Sequence, residues 1–311
     1  MLFFIFIIVG AFAQNGGEPK NNIDDENKNF NKPDYTIFNS VIKIGISNRN
    51  AGAVCSMVFD GEEFVNDHDH GRQMQVAWIY NGMGEAYNPT EAGADYDQMG
   101  QTSTSQLLSV KIDKNTIKTV SHPAFWFFYG QGNHQNTSAV SKDSLIKVLT
   151  LGYEGDPNVI VFDTEITLSP EITGPIMNAL RIEAPTVYSS SKLTKHNTFD
   201  LDNGQIAFVP SNSQKNDVMN RRIGPISKRN LVPVMSSTDG KFALAVYTQQ
   251  QTNFWGYYTW EVPSEDTLNA CTKITSFFKH AAEVQKTYKY KSFVVCGSFE
   301  IVKNSLLRLK K

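Results

Sequence analysis

The chain has 311 residues, 41% of them hydrophobic, and its 29 basic side chains nearly balance its 31 acidic ones. A chain of this length is long enough for one large domain, and all-β folds of roughly 200 to 250 residues commonly stay single. The near-zero net charge, without a long basic stretch, gives a nucleic-acid-binding surface no electrostatic support, so nucleic acid is not among the expected partners.

The first residues of the chain resemble a targeting signal. Residues 1–13 are almost wholly apolar and end in Ala11-Phe12-Ala13, a small-residue pattern typical of signal-peptide cleavage, although the usual positively charged start is missing. The run is too short to cross a hydrocarbon layer of about 30 Å as a lone helix. The sequence therefore predicts a secreted, extracellular protein with no membrane partner after cleavage, with an uncleaved signal anchor as the alternative.

A polar segment follows the signal. Residues 14–34 are rich in Asn, Lys, Asp and Glu and contain almost no large apolar side chain. Such a segment buries too little surface to offset the entropy lost on ordering. We expect a flexible leader over residues 14–34 and a single folded domain over residues 35–311.

Alternating apolar residues predict strands throughout that domain. The first two span residues 41–46 and 52–59, and Asp60-Gly61 before residues 62–65 is a strong hairpin signal. Further strands are predicted at residues 107–112, 117–120, 145–151, 159–168, 177–184, 205–209, 241–248 and 292–302. Helical periodicity is confined to residues 275–284 and 304–309. The pattern indicates an all-β fold, a large antiparallel β-sandwich with few short helices.

Ionisable residues concentrate between residues 66 and 95. This stretch contains Asp67, His68, Asp69, His70, Arg72, Glu85, Glu91 and Asp95. Because it borders the alternating run Met74, Val76 and Trp78, we expect these groups at the lip of a sheet, where one face is packed and the mouth is wet.

That stretch supplies the groups needed for proton transfer on a sugar. A histidine titrates near physiological pH, so His70 is a candidate proton carrier, with Glu91 as the second carboxylate. The planar guanidinium of Arg72 is a candidate clamp on a hydroxylated or anionic substrate, with Asp69 beside it.

The most aromatic run of the chain spans residues 122–129. Its Trp126, together with Trp78, offers a flat face on which a pyranose ring stacks, while packing in the core is the competing interpretation. His122 and His134 flank the run and are alternative bases, His134 on a polar loop over residues 130–144.

Other chemistries have little support. His68 and His70 are two residues apart and with Glu91 or Asp95 resemble a partial metal site, but no second ligand cluster accompanies them, so we predict no metal and no cofactor. The sequence contains no Gly-x-Ser-x-Gly elbow, phosphate loop or dinucleotide fingerprint. Serine hydrolases, kinases and Rossmann dehydrogenases are therefore not indicated.

Three cysteines permit at most one disulfide. Cys271 and Cys296 are the more plausible pair, and Cys55, inside an apolar run, is expected to pack as a small hydrophobic residue. Asn136-Thr137-Ser138 is a glycosylation acceptor, which predicts a glycoprotein.

Several of these segments together resemble a known group. They are Gly52-Ala53, Asp60-Gly61, Asp69-His70-Gly71-Arg72, Asn88-Pro89-Thr90-Glu91-Ala92-Gly93 and Phe293-Val294-Val295-Cys296-Gly297-Ser298-Phe299. The succession resembles secreted carbohydrate-active β-sandwich proteins, the galactose mutarotase-like supersandwich group, over about residues 41–309. The resemblance implies a protein that binds, epimerises or cleaves sugars, and mutarotases use a His acid and a Glu base in a shallow cleft. The chain departs from the mutarotase pattern near its C-terminus, where no motif marks the catalytic glutamate and Glu261 or Glu283 would have to take its place.

The residues and the resemblance lead to one hypothesis. We expect a secreted protein that binds or modifies a sugar or polysaccharide by His/Glu acid–base chemistry, as a lyase, epimerase or glycosidase. Its cleft is predicted to be lined by residues 67–95 and 122–134. The alternative is a noncatalytic lectin-like or structural β-sandwich protein.

Overall fold

Two antiparallel sheets form most of the computed structural model, which describes residues 32–80, 87–127, 138–170, 180–190, 192–209, 219–225, 231–250, 254–260 and 271–310. The strands of the first half are β1 Tyr35–Phe38, β2 Ile42–Ile46, β3 Val54–Phe59, β4 Glu62–Glu63, β5 Met74–Tyr80, β6 Pro89–Thr90, β7 Gln106–Asp113, β8 Thr116–His122, β9 Ala124–Phe125, β10 Ser144–Tyr153 and β11 Asp156–Thr167. The strands of the second half are β12 Leu180–Ser190, β13 Lys195–Asp200, β14 Ile206–Phe208, β15 Met219–Pro225, β16 Leu231–Ser236, β17 Ala243–Tyr247, β18 Phe254–Trp260, β19 Cys271–His280 and β20 Thr287–Gly297. One α-helix, α1, spans Phe299–Leu309, and a 3-10 turn spans Asp95–Asp97.

The strands divide into two sheets. In the described residues, sheet A has the order β1-β2-β3-β5-β12-β19-β18-β15, with β4 beside β3 and with β6 joining β5 to β9. Sheet B has the order β14-β13-β16-β17-β20-β11-β10-β8-β7. Every described strand pair is antiparallel. The predicted all-β antiparallel sandwich is confirmed.

The main hydrophobic core lies between the two sheets. Sheet A contributes Trp78, Ile182 and Phe278, and sheet B contributes Phe162 and Val294, all with 1% or less of their surface exposed. Burying one large apolar side chain stabilises the fold by about 1.5–3 kcal/mol, so this layer holds the sandwich together. Because strand side chains alternate, the same strands turn a second row of residues away from the core.

A second core lies on the outer face of sheet B, under α1. Val302 and Leu306 of the helix are fully buried against Phe199 and Phe293 of the sheet. The helix begins after Ser298, whose hydroxyl accepts a hydrogen bond from the Ile301 amide at 3.3 Å. An oxygen at this position satisfies one of the free amides of the first turn.

Several element predictions are confirmed and several are wrong. Asp60 and Gly61 have φ of 50° and 75°, as a tight hairpin requires, and the helix predicted at residues 304–309 lies within α1. Residues 275–284 are not helical, because Cys271–His280 forms β19 with alternate residues facing the core. The strand predicted over 292–302 ends at Gly297. Strands β13, β15, β16 and β18 were not predicted.

The Cys271–Cys296 disulfide, the more plausible of the pairings that the sequence allows, is not formed. Cys271 lies on β19 in sheet A and Cys296 on β20 in sheet B, and all three cysteines are buried thiols outside any disulfide. Burial raises the pKa of the Cys296 thiol to about 12. Cys55 packs as a small hydrophobic residue, 3% exposed, as predicted.

The N-terminal predictions concern a part of the chain that is largely not described. The signal over residues 1–13 and the leader up to residue 31 lie outside the described residues. Among the helical residues that are described, none forms a segment long and apolar enough to cross a membrane.

Candidate functional site

His70 lies inside the protein, not at the lip of a cleft. It is 1% exposed, with Nδ1 2.9 Å from the carbonyl oxygen of Ala92 and Nε2 2.8 Å from that of Gly100. A neutral imidazole donates from one nitrogen only, so both contacts are hydrogen bonds when the ring is charged. In either case His70 connects two points of the loop over residues 92–100. Its expected contact with substrate is therefore wrong. Both ring nitrogens are occupied by these contacts, so neither is left to bind a metal. No group of three or more His, Cys, Asp or Glu side chains in the described ranges is arranged to hold a metal ion.

Glu91 is also enclosed. It forms an ion pair with Lys147, and neither side chain has any exposed surface. Its other oxygen accepts a hydrogen bond from the Val76 amide at 3.0 Å, and Lys147 Nζ also donates to the Gly52 carbonyl at 2.8 Å. Both carboxylate oxygens of Glu91 are thus bound and have no contact with solvent. The pair with Lys147 joins the loop before β7 to sheet B. The expected role of Glu91 as the second carboxylate of a catalytic cleft is therefore corrected.

Trp78 is a core residue and offers no face to a sugar. Its indole Nε1 donates to Asp143 Oδ2 at 3.0 Å, and the Tyr80 hydroxyl donates to the same oxygen at 2.8 Å. The second oxygen of Asp143 accepts from the Ser169 amide at 2.7 Å. Burial raises the pKa of Asp143, although these three donors oppose the rise. The group is a buried polar network between strands, and the stacking role expected for Trp78 is wrong.

His122 lies half-buried at the end of β8 in sheet B. Its Nδ1 is 2.7 Å from the backbone carbonyl oxygen of Asp143. That contact fixes the ring with Nδ1 as the donor. His134, Glu85 and the glycosylation acceptor Asn136 lie outside the described residues.

Three of the predicted residues do come together, around Gly71. The Nε of Arg72 is 3.2 Å from Asp69 Oδ2, and Asp69 Oδ1 accepts from the Gly71 amide at 2.8 Å. A Cβ on Gly71 would lie 2.5 Å from the Trp126 ring, so only glycine allows this approach. Asp69, Arg72 and Trp126, each partly exposed, form what we term the rim.

A second carboxylate, that of Asp95, lies close to the rim. The Asp95 amide donates to the Trp126 carbonyl at 2.8 Å. Burial, followed by the charge of Asp69, raises the pKa of Asp95. The rim and Asp95 are therefore electrostatically coupled, beside the start of β5 in sheet A.

Beside the rim lies a set of residues that the sequence analysis missed, on the outer face of sheet A. Ile182 and Phe278 face the core, so their neighbours along β12 and β19 face outward. With β5 they form the outer face: Gln73, Gln75, Ala77, Ile79, Arg181, Glu183, Thr186, Tyr188, Lys273, Thr275, Phe277 and Lys279.

The centre of the outer face holds two cations, one carboxylate and two aromatic rings. Lys273 Nζ is 2.8 Å from Glu183 Oε2, and both side chains are 9% exposed. The same Nζ lies 4.9 Å from the centroid of the Tyr188 ring. The guanidinium of Arg181 lies 5.0 Å from the centroid of the Phe277 ring. Charged donors and acceptors held against aromatic rings bind ligands that have both polar edges and apolar faces.

Gln75 joins the outer face to the rim. Its Nε2 donates to the Gly71 carbonyl at 2.7 Å, and its Oε1 accepts from the Ala92 amide at 3.0 Å. Gln73 similarly donates to Asp67 Oδ1 at 2.7 Å. The two amide side chains fix the position of the loop over residues 67–72, which we term the rim loop, relative to the sheet.

A signal for the outer face was present in the sequence. In Leu180-Arg181-Ile182-Glu183 apolar and charged residues alternate, which is typical of a strand with one buried face. The pattern predicts the direction of each side chain, but the pairing of Glu183 with Lys273 depends on the register between β12 and β19.

Comparison with known proteins identifies the fold of the chain. No protein-family model matches the sequence, and a search of curated proteins found no match. Among solved structures, a galactose mutarotase related enzyme from Lactobacillus acidophilus aligns with a TM-score of 0.52 and 12% identity, over 85% of this chain and 97% of its own.

Two further structures align less closely. A candidate aldose 1-epimerase from Escherichia coli K12 gives a TM-score of 0.49 and 10% identity over 85% of this chain and 98% of its own. A galactose mutarotase-like protein from Clostridium acetobutylicum gives 0.42 and 8%, over 83% and 93%. At such identity the likeness concerns the fold, and it confirms the predicted resemblance at that level: the chain has the galactose mutarotase-like β-sandwich fold.

Proposed function

We propose that this protein binds carbohydrate on the outer face of sheet A, with the rim at one edge of the site. The observation that carries the proposal is the Glu183–Lys273 pair held beside the Tyr188 ring. A sugar ring presents hydroxyls at its edge and C–H groups on its faces, so it requires polar groups and an aromatic surface together. The mutarotase-like fold supports the same proposal.

The interior positions of His70 and Glu91 favour binding over the His/Glu chemistry expected from the sequence. A proton carrier must come within hydrogen-bonding reach of the substrate, and both of these side chains are enclosed. We therefore propose first a noncatalytic, lectin-like protein that binds sugar without changing it.

Binding is tested with a panel of neutral oligosaccharides by isothermal titration calorimetry. We expect the Glu183→Gln variant to bind at least tenfold more weakly, a loss of about 1.4 kcal/mol, because it breaks the pair with Lys273. The matched control is Glu165→Gln, which breaks an exposed pair with Lys289 on sheet B and should leave affinity unchanged. Unaltered binding by Glu183→Gln would move the site elsewhere, and no binding to any sugar would contradict a carbohydrate role.

A second candidate function is aldose epimerisation at the same pair. Glu183 and Lys273 are a carboxylate and an ammonium on the same outer face, so they provide a base and an acid within 2.8 Å of each other. Exchange of galactose and glucose anomers, followed by polarimetry, tests this candidate. This second candidate predicts acceleration by the wild-type protein and none by Glu183→Gln; binding without acceleration would leave the lectin-like function.

We also propose that the protein is secreted, on the basis of the apolar run over residues 1–13. Expression of the full chain in a secreting host, with N-terminal sequencing of the product in the medium, tests this. A mature N-terminus near residue 14 would support secretion, and full-length protein retained in the cell would contradict it.

A further inference from the structure

Arg181 has an unusual position among the charged residues of the outer face. Its Nε is buried and has no hydrogen-bond partner among the described residues. Nearby, Glu183 is already paired with Lys273 at 2.8 Å. A buried donor without an acceptor costs free energy that a ligand oxygen in the right place would recover.

The orientation of Arg181 is set by its neighbours. Its guanidinium lies 5.0 Å from the centroid of the Phe277 ring, which is itself 1% exposed and therefore fixed. In the register of the sheet Arg181 lies between Ile79 on β5 and Lys279 on β19. A guanidinium against an aromatic ring keeps its N–H groups directed outward from its edge, where they bind two oxygens of one anion.

The charge balance of the outer face favours an anion. The described side chains of β5, β12 and β19 on this face include three cations, Arg181, Lys273 and Lys279, and one carboxylate, Glu183. Among the described side chains of these strands, cations therefore outnumber carboxylates on this face. Arg181 as a whole residue is partly exposed, so part of its side chain is accessible to a ligand although its Nε is buried.

We infer that the outer face recognises an anionic sugar, one whose carboxylate or other oxyanion is bound by Arg181. The inference rests on the proposed carbohydrate-binding function and adds the class of ligand. The neutral part of the ligand lies against the Glu183–Lys273 pair and the Tyr188 ring, and the anion lies over the edge of the Arg181 guanidinium.

The test compares two ligands with the same sugar backbone, one with free carboxylates and one with uncharged methyl esters. Trigalacturonate and its fully methyl-esterified form are titrated into the full chain by calorimetry, and the ratio of their affinities is the readout. We expect the acid to bind at least tenfold more tightly than the ester. Galactose 6-phosphate against galactose is a parallel pair that shows whether a phosphate serves as the oxyanion in place of the carboxylate.

Variants of Arg181 test whether this residue causes the difference in affinity between the acid and the ester. Arg181→Gln should reduce the preference for the acid to near one, and Arg181→Lys should restore part of it because the charge returns without the planar fork. Lys118→Gln, which removes an exposed cation from sheet B, is the matched control and should leave the ratio unchanged. Circular dichroism of each variant confirms that it is folded.

The outcomes separate the inference from the function on which it rests. Equal binding of acid and ester, or a preference that survives in Arg181→Gln, overturns the inference while the carbohydrate site stands. If neither the acid nor the ester binds, and no oligosaccharide of the neutral panel binds either, the proposed function is overturned. In the wild-type protein the preference should also shrink between about 0.05 M and about 0.5 M salt, because the Debye length shortens.

Discussion

Asp67 lies almost wholly buried ahead of β5, at the base of the rim loop. Its Oδ1 accepts hydrogen bonds from Asn50 Nδ2 and Gln73 Nε2, both at 2.7 Å, and lies 3.5 Å from Arg49 Nη1. Its Oδ2 has no hydrogen-bond partner within the described ranges. Burial raises the pKa of Asp67 to about 7 in spite of these donors. A single carboxyl group thus titrates in the neutral range.

The raised pKa predicts a pH-dependent stability. Because the folded-state pKa lies above the unfolded one, the contribution of Asp67 is full below about pH 4 and is lost as pH rises through about 7. The unfolding free energy of the wild type should therefore fall relative to that of Asp67→Asn between about pH 5 and about pH 8, on the order of a few kcal/mol. Urea denaturation at the two pH values measures the difference. Parallel pH profiles for the two proteins would contradict the assignment.

The Glu91–Lys147 pair predicts a strong effect of a single substitution. Lys147→Met leaves the Glu91 carboxylate buried without its cation, so we expect a loss of about 3–5 kcal/mol in unfolding free energy. The double variant Glu91→Gln, Lys147→Met removes both charges and should recover much of that loss. Urea denaturation measures both. Equal destabilisation of the single and double variants would show that the charge of Glu91 is not the cause.

These residues also show where sequence reasoning ends. The concentration of charge between residues 66 and 95 was visible, and it did locate Asp69 and Arg72 at a partly exposed rim. Nothing near Glu91 in the sequence indicates that Lys147, 56 residues later, would enclose it. Burial of a charged residue depends on such distant partners, and so does the choice between an interior ion pair and a catalytic group.

At the scale of elements, helix α1 completes sheet B. Its buried residues Val302, Leu306 and Leu309 cover an outer face that would otherwise expose apolar side chains of five strands. Arg308 pairs with Asp156 at the start of β11 and lowers the pKa of that carboxyl group, acting against burial. The helix is therefore part of the folded unit.

Two adjacent leucines of α1 provide a matched test. Leu306 is fully buried and Leu307 is 39% exposed. Leu306→Ala should cost about 2–5 kcal/mol, because it removes buried methyl groups and leaves a cavity. Leu307→Ala makes the same chemical change at the surface and should cost about 0.5 kcal/mol or less. Thermal unfolding followed by circular dichroism compares them, and similar losses would contradict the packing of α1 on sheet B.

Elements were predictable where their local pattern was strong. The Asp60-Gly61 hairpin and the strands at 145–151 and 159–168 have clear alternation and turn signals, and the structure contains them as β3–β4, β10 and β11. Strand β13, Lys-His-Asn-Thr-Phe-Asp, has little apolar character of its own and is held by pairing with β16. Residues 275–284 contain apolar residues at helical spacing, but pairing on both sides of β19 overrides that preference.

At the scale of the whole molecule, the two outer faces differ. Sheet B is covered by α1, whereas the central strands of sheet A direct a charged and aromatic face outward. The sandwich could be predicted because it follows from alternation repeated in many strands. Which face is left for the proposed site depends on where the helix packs, and that is not encoded near the residues of that face.

The positions of the cysteines predict the reactivity of the native protein. Burial raises the pKa of the Cys55 and Cys296 thiols, and Cys271 is also fully buried. A thiol reagent such as DTNB should therefore react slowly with the native protein and rapidly with three thiols in denaturant. The absorbance of the released thiolate measures both. Fewer than three reactive thiols after unfolding would reveal a disulfide and contradict the structure.

The position of β20 in sheet B has a consequence for the kinetics of folding. This strand lies between β11 and β17, so Val159 near the middle of the chain is aligned with Val295. Until β20 is synthesised, β11 and β17 present unpaired backbone edges, which attract other strands. Folding should be slow and governed by this late closure, and polypeptides truncated before residue 287 should aggregate.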